Sequence, residues 1–199
     1  MTRIYTRNFL GVIALLFACT HVITAQENRC NLKLAQIKQA PELYGLRLGM
    51  TPDEVKTVVP SIQPGHADDL GFATTSFSPD FNPQIDKGAY PGVRTVTLEF
   101  LDNKVFTLWI GFTSSYKWKT LDEFVPGMSA ALGLPAGSWP VSSSKPVIEC
   151  SDFEIAASMI GGGPSIRLID RNAKELWEQR RTEREEKRSE QEKEEPGYQ

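Results

Sequence analysis

Histidine is nearly missing from this chain, with two in 199 residues. His21 lies in an N-terminal apolar stretch, so any Ser-His-Asp triad would have to use His66, and a His-rich metal site cannot be built. Neither G-x-S-x-G nor H-E-x-x-H occurs. Gly161-Gly162-Gly163-Pro164-Ser165 lacks the Gly-Lys-Ser/Thr of a phosphate loop and reads as a hairpin turn. Past residue 25 no apolar run is long enough to span a bilayer. Basic charge is not in excess either. A net charge of −3 leaves no electrostatic footprint for nucleic acid.

What the first 25 residues do contain is a leader pattern. Arg3 and Arg7 precede an uncharged apolar run, Phe9 to Cys19, and Ile23-Thr24-Ala25 offers a small-residue cleavage site. Residues 1–25 are therefore expected to be a secretory signal, and the mature protein to be exported, either periplasmic or secreted. The alternative is a lipoprotein anchored through Cys19, with Leu16-Phe17-Ala18-Cys19 as its attachment box, which the bulky Phe17 suits poorly. Losing Arg3 and Arg7 moves the net charge from −3 to −5. Of three cysteines, Cys30 and Cys150 would remain, and in an oxidising compartment two thiols most simply form one disulfide. Two free buried thiols are the other option.

The body of the chain, residues 26–171, reads as one α+β domain: an antiparallel sheet with two short capped helices packed on one face. Leu46 to Leu48 suggests a short strand. Thr51 then offers an N-cap, Pro52 a first helical residue and Glu54 the end of a T-x-x-E capping box, with Met50 and Val55 at hydrophobic-staple spacing. Val55, Val58 and Val59 form one stripe before Pro60 ends the helix. Valines are indifferent helix formers, so so short a helix needs strong caps and a sheet to lie on. Pro60 to Pro91 reads mostly as loop, with one strand near Phe72 to Phe77.

In VRTVTLEFLDNKVFTLWIGF, Val96, Leu98 and Phe100 alternate with polar residues, as do Phe106, Leu108, Ile110 and Phe112. If both sets share one buried face, Phe100 pairs with Phe106 and Leu98 with Leu108, through a three-residue loop Asp102-Asn103-Lys104. The outer face then carries Thr95, Thr97, Glu99, Thr107 and Trp109. A second T-x-x-E box opens a helix at Thr120. Leu121, Phe124, Val125, Met128 and Leu132 fall at helical spacing, Gly133 and Pro135 close it, and Pro126-Gly127 implies a kink or two pieces. Trp118 and Trp139 should fill the core edge beside it. Strands are expected near Phe153 to Met159 and Ser165 to Ile169.

From Asn172 the composition shifts, and residues 172–199 read as a charged C-terminal helix. Pairs such as Glu183 with Lys187 and Glu178 with Arg181 support it, and no apolar heptad makes it a coiled coil. Its anchors are expected to be Leu176 and Trp177, with the rest projecting.

T-P-D-E-V at Thr51 and T-L-D-E-F at Thr120 lie 69 residues apart, each ahead of strands. This looks like a duplicated unit of capped helix and antiparallel hairpin. The phrase Leu48-Gly49-Met50-Thr51-x-x-Glu54-Val55 resembles the opening of the small outer-membrane assembly lipoproteins (BamE-like) and of the β-lactamase-inhibitor proteins. The second resemblance implies tandem helix-and-sheet repeats. It places no functional residue.

Functionally the chain reads as an exported, non-catalytic, monomeric protein-interaction module without cofactor or metal. Its candidate contact residues are Trp109, Thr97 and Trp177. Trp109 would be an exposed anchor beside Thr97, unless Leu176 and Trp177 cover it when the C-terminal helix docks. The alternative is a hydrolase or ligand-binding enzyme with His66-Ala67-Asp68-Asp69 as base and orienter. Asp68, Asp69, Asp80 and Asp86 could offer oxygens to calcium, but no D-x-D-x-D-G loop appears.

Overall fold

The computed structural model describes residues 30–135, 137, 139 and 145–194. The expected signal segment and the Cys19 box lie outside them. The described chain is α+β. Helix α1 (Pro52–Val58) precedes strands β1 (Phe72–Phe77), β2 (Val93–Leu101) and β3 (Lys104–Phe112). Helix α2 (Leu121–Leu132) precedes β4 (Val147–Glu149), β5 (Phe153–Ile160) and β6 (Gly163–Asp170), and α3 (Arg171–Glu194) follows. All strands pair antiparallel in the order β1-β2-β3-β6-β5-β4. The sequence helix-strand-strand-strand thus occurs twice, as two meanders joined along β3 and β6. Each unit holds three strands rather than the hairpin expected.

Both T-x-x-E sites cap helices, in different ways. At α1 the Glu54 N–H donates to Thr51 Oγ1 at 3.3 Å while the Thr51 N–H donates to Glu54 Oε2 at 2.8 Å, a closed box. At α2 the Glu123 N–H reaches Thr120 Oγ1 at 3.3 Å, but the Glu123 carboxylate accepts from the Lys119 N–H at 2.9 Å. Helix α2 runs unbroken through Pro126 and Gly127. The carbonyl that Pro126 leaves without a helix bond belongs to exposed Asp122. At Gly127 a Cβ would run into the Trp118 ring, so the glycine is what lets that indole lie on the helix. Gly133, at φ 69°, closes α2, with the Leu134 N–H on Ser129 O at 2.9 Å. Trp139 is buried with its indole N–H on Ser129 Oγ.

One face of the sheet is the core. Ile148, Ile155, Leu168, Leu108 and Leu98 line up across it, and Val55 of α1, Val59 at its C-cap, and Phe124, Met128 and Leu132 of α2 close it over. Leu46 and Leu48 belong to this core but form no strand. Gly45 and Gly49 at φ 76° and 81° turn the backbone there, and it meets β3 only through Gly49 N–H to Val105 O and Val105 N–H to Met50 O.

The β2–β3 hairpin differs from expectation in an informative way. Its turn has two residues, Asp102 and Asn103, at φ 49° and 61°, the left-handed pair of a tight hairpin turn. Leu101 therefore faces Lys104, and Phe100 faces Val105 rather than Phe106. A bulge beside Phe100 then absorbs one residue, so that Glu99 faces Thr107 and Leu98 faces Leu108 as expected. Phe106 is left on the opposite face. The β5–β6 turn is likewise two residues, Gly161 and Gly162.

Cys30 and Cys150 are joined, with Cα atoms 4.4 Å apart across 120 residues, which fits an oxidising, exported compartment. Around that bridge the N-terminal arm lies on the second unit: Cys30 N–H donates to Glu149 O, Leu34 N–H to Asp152 Oδ1 and Lys38 N–H to Leu132 O. No helix among the described residues is long and apolar enough to cross a membrane.

Candidate functional site

Cross-strand pairing gives the outer face its composition. One row across it reads Ser76, Thr97, Trp109, Arg167, Ala156 and Val147, and the next Thr95, Gly111, Ser165 and Ser158. A third row, Thr74, Glu99, Thr107, Ile169, Glu154 and Glu149, lies toward α3.

Helix α3 decides how much of this face stays open. Asp170 caps it, accepting from the Ala173 N–H at 3.0 Å. It then crosses to the first unit. The Trp177 ring stacks on Phe72 at 5.2 Å and meets Phe106 at 6.1 Å. Leu101, Phe106 and Ile169 are buried yet stand apart from the main core, so they make a small second apolar patch on the face that carries α3. Arg180 forms a bidentate pair with Asp102, 2.8 Å for each bond, and also donates to Leu70 O; Arg184 holds Asp69 at 2.9 Å. Hydrogen bonds from Arg180 hold the Asp102 carboxyl below its ordinary range. The expectation that Leu176 and Trp177 alone anchor the helix is thus corrected: Leu176 is 40% exposed, and the arginines extend the docked part to residue 184.

The three candidate contact residues separate. Thr97 and Trp109 are direct cross-strand neighbours, while Trp177 lies on Phe72 and Phe106 at the other end of the face. Trp109 is half-buried, its ring leaning over Gly111, where an added Cβ would come within 2.9 Å of the indole and 3.3 Å of the Arg94 guanidinium. Arg94 donates to Gly161 O at 3.0 Å. Arg167 is exposed and, among the described residues, makes no hydrogen bond or ion pair. Neither arginine was singled out by the sequence; the alternation that placed Trp109 outside also places Arg167 there, once β6 is known to pair with β3.

His66 is exposed in an irregular loop, and the residues drawn around it are engaged elsewhere. Asp68 Oδ1 accepts from the backbone N–H groups of Leu70 and Phe72, and Asp69 faces Arg184. Asp80 pairs with Lys87 at 3.2 Å, and Asp86 caps the Gly88 N–H. Among the described residues no three His, Cys, Asp or Glu side chains converge as metal ligands. A cleft of about 980 Å³ runs between α3 and the 68–71 loop, where Asp69 and Asp102 are already occupied by guanidinium groups.

A second cluster gathers beside residues 41–44. Glu42 bonds Lys117 at 2.8 Å, which holds its carboxyl below the usual range. Burial pushes the Tyr44 phenol up to about 12 and raises the Tyr116 phenol as well, and among the described residues the buried Tyr116 hydroxyl has no hydrogen-bond partner. No family model, curated protein or solved structure matches this chain.

Proposed function

We propose that this is an exported protein-interaction module, working as a monomer, that binds a partner protein through the open part of its outer sheet face. The observation that carries the reading is the position of α3. The helix docks over Phe72 and Phe106 and leaves Trp109, Thr97 and Arg167 uncovered as one cross-strand patch. Tryptophan and arginine are the residue types that most often anchor interfaces. The disulfide supports export, and the repeated helix-and-three-strand order is in keeping with the tandem repeats that the sequence resemblance implies.

A photo-crosslinking residue at Thr97 should trap a partner in the native compartment, whereas the same residue at Lys56, exposed on α1, should not. Trp109→Ala should abolish the Thr97 adduct with the thermal transition retained. Equal adducts at both positions, or none at Thr97, would refute the reading.

A further inference from the structure

The charge on the open face is out of keeping with the chain. The protein is net acidic, yet the row of Trp109 and the row of Gly111, over which its ring leans, contain Arg167 and no acid, and Arg94 reaches over them from β2. Arg167 is the more telling. Its cross-strand neighbours are Trp109 and Ala156; Glu154 and Glu99 lie in the adjoining row, and neither is within ion-pair distance of it. Elsewhere the chain satisfies its arginines with carboxylates: Arg47 with Glu54, Arg171 with Glu149, Arg180 with Asp102 and Arg184 with Asp69. Among the described residues Arg94 has one hydrogen-bond partner, the neutral Gly161 carbonyl, and no carboxylate, and its guanidinium lies beside the indole above Gly111. Ile160, 45% exposed, continues the patch at the end of β5 with an apolar side chain.

Resting on the reading above, we infer that the partner is an acidic segment of another protein that also carries apolar side chains. Its carboxylates would pair with the guanidinium groups of Arg167 and Arg94, and an apolar side chain would lie on Trp109. A guanidinium offers a carboxylate two parallel N–H bonds, and a half-buried indole excludes water beside them, which strengthens those bonds. An acidic protein that binds an acidic segment needs a local reversal of sign, and these rows supply it.

The test uses the oxidised full chain with two capped nine-residue peptides, one alternating glutamate with leucine and the other its glutamine counterpart. Amide and indole resonances report where each peptide sits. The acidic peptide should shift the Trp109 indole N–H and the Thr97 amide. Arg167→Gln, which breaks no bond within the fold, should weaken it about tenfold, the loss expected for hydrogen bonds to a charged group. If the glutamine peptide shifts the same resonances equally, or Arg167→Gln binds as well as the parent, the acidic partner is wrong while the face remains a binding surface. Shifts confined to Arg184, Lys187 and Arg188 would mean charge attraction to α3 alone and overturn the inference. If neither peptide moves any outer-face resonance, both the inference and the reading beneath it fail. Movement of those resonances only by vesicles rich in phosphatidylglycerol would replace the acidic protein with a membrane surface.

Discussion

Replacing Trp177 with alanine separates the forces that hold α3. The indole stacks on Phe72 at 5.2 Å and tilts against Phe106 at 6.1 Å, on a helix that Arg180 and Arg184 also hold through ion pairs and the Arg180 bond to Leu70 O. Returning about 100 Å² of apolar surface to water costs about 2.5 kcal/mol. Losing the ring pair adds about 0.5–1.5 kcal/mol, and partial settling of the helix offsets some of the total. A net loss of about 2–3 kcal/mol in a domain of this size lowers the melting temperature by about 5–10 °C. Arg180→Gln removes a bidentate but solvent-accessible pair and should give a smaller shift. Thermal unfolding by far-UV circular dichroism gives both values. Trypsin, timed at Arg180, Arg181 and Arg184, shows whether the helix lifts before the domain melts. A larger effect from Arg180→Gln, or no change from Trp177→Ala, would refute the claim that ring burial holds the helix.

Truncation after Arg181 removes the Arg184–Asp69 pair and contacts within α3 such as Arg181–Glu185, and should leave the melting temperature within about 2–3 °C of the parent, since an exposed pair is worth about 0.2–1 kcal/mol. The Asp102 carboxyl is depressed by Arg180, so its contribution is present above its unfolded pKa, near 3.8, and is lost as pH falls through the lower folded value; proteolysis of α3 should accelerate there in the parent but not in Arg180→Gln. Tyr44 carries the opposite sign, its stabilisation complete below 10 and lost as pH climbs toward about 12, which a spectrophotometric phenol titration of Tyr44→Phe against the parent would show. Gly127→Ala should destabilise despite alanine's advantage of about 1 kcal/mol in a helix, because its Cβ enters the Trp118 ring; a raised denaturation midpoint would contradict that packing. Reducing Cys30–Cys150 should cost about 4–5 kcal/mol on the chain-entropy model, read as a lower denaturation midpoint in reductant.

Much of this architecture is written locally. Thr51-Pro52-Asp53-Glu54 states its helix outright, and alternation in β2 and β3 assigns Leu98 and Leu108 to one face and Trp109 to the other. A register that sends every phenylalanine of β2 and β3 to one core does not fit this hairpin. Asp102-Asn103 is a two-residue turn by its own chemistry, and honouring it would have sent Phe106 to the outer face and announced a second apolar patch. Strand β4 is three residues long and has no period to read. The partners of Arg180 and Arg184 lie 78 and 115 positions away, at Asp102 and Asp69, and no local pattern connects them. The candidate patch was half legible: Thr97 and Trp109 share a hairpin, but Arg167 joins them only through the β3–β6 seam, which is a fact of topology.

The two ends of the described segment each reach past the seam. The arm beginning at Cys30 belongs by sequence to the first unit and lies on the second, and α3 leaves the second unit to settle on Phe72, Asp102 and Asp69 of the first. Two similar units that pair edge to edge invite exchange between copies, each β3 taking the β6 of a neighbouring chain. Crossed ends oppose this, because an exchanged pair would have to carry both straps with it. One strap is covalent and the other rests mainly on a single indole. The fold therefore has a lock that oxidation sets and a latch that stays reversible, and intertwined dimers should form chiefly when the chain folds crowded and reduced.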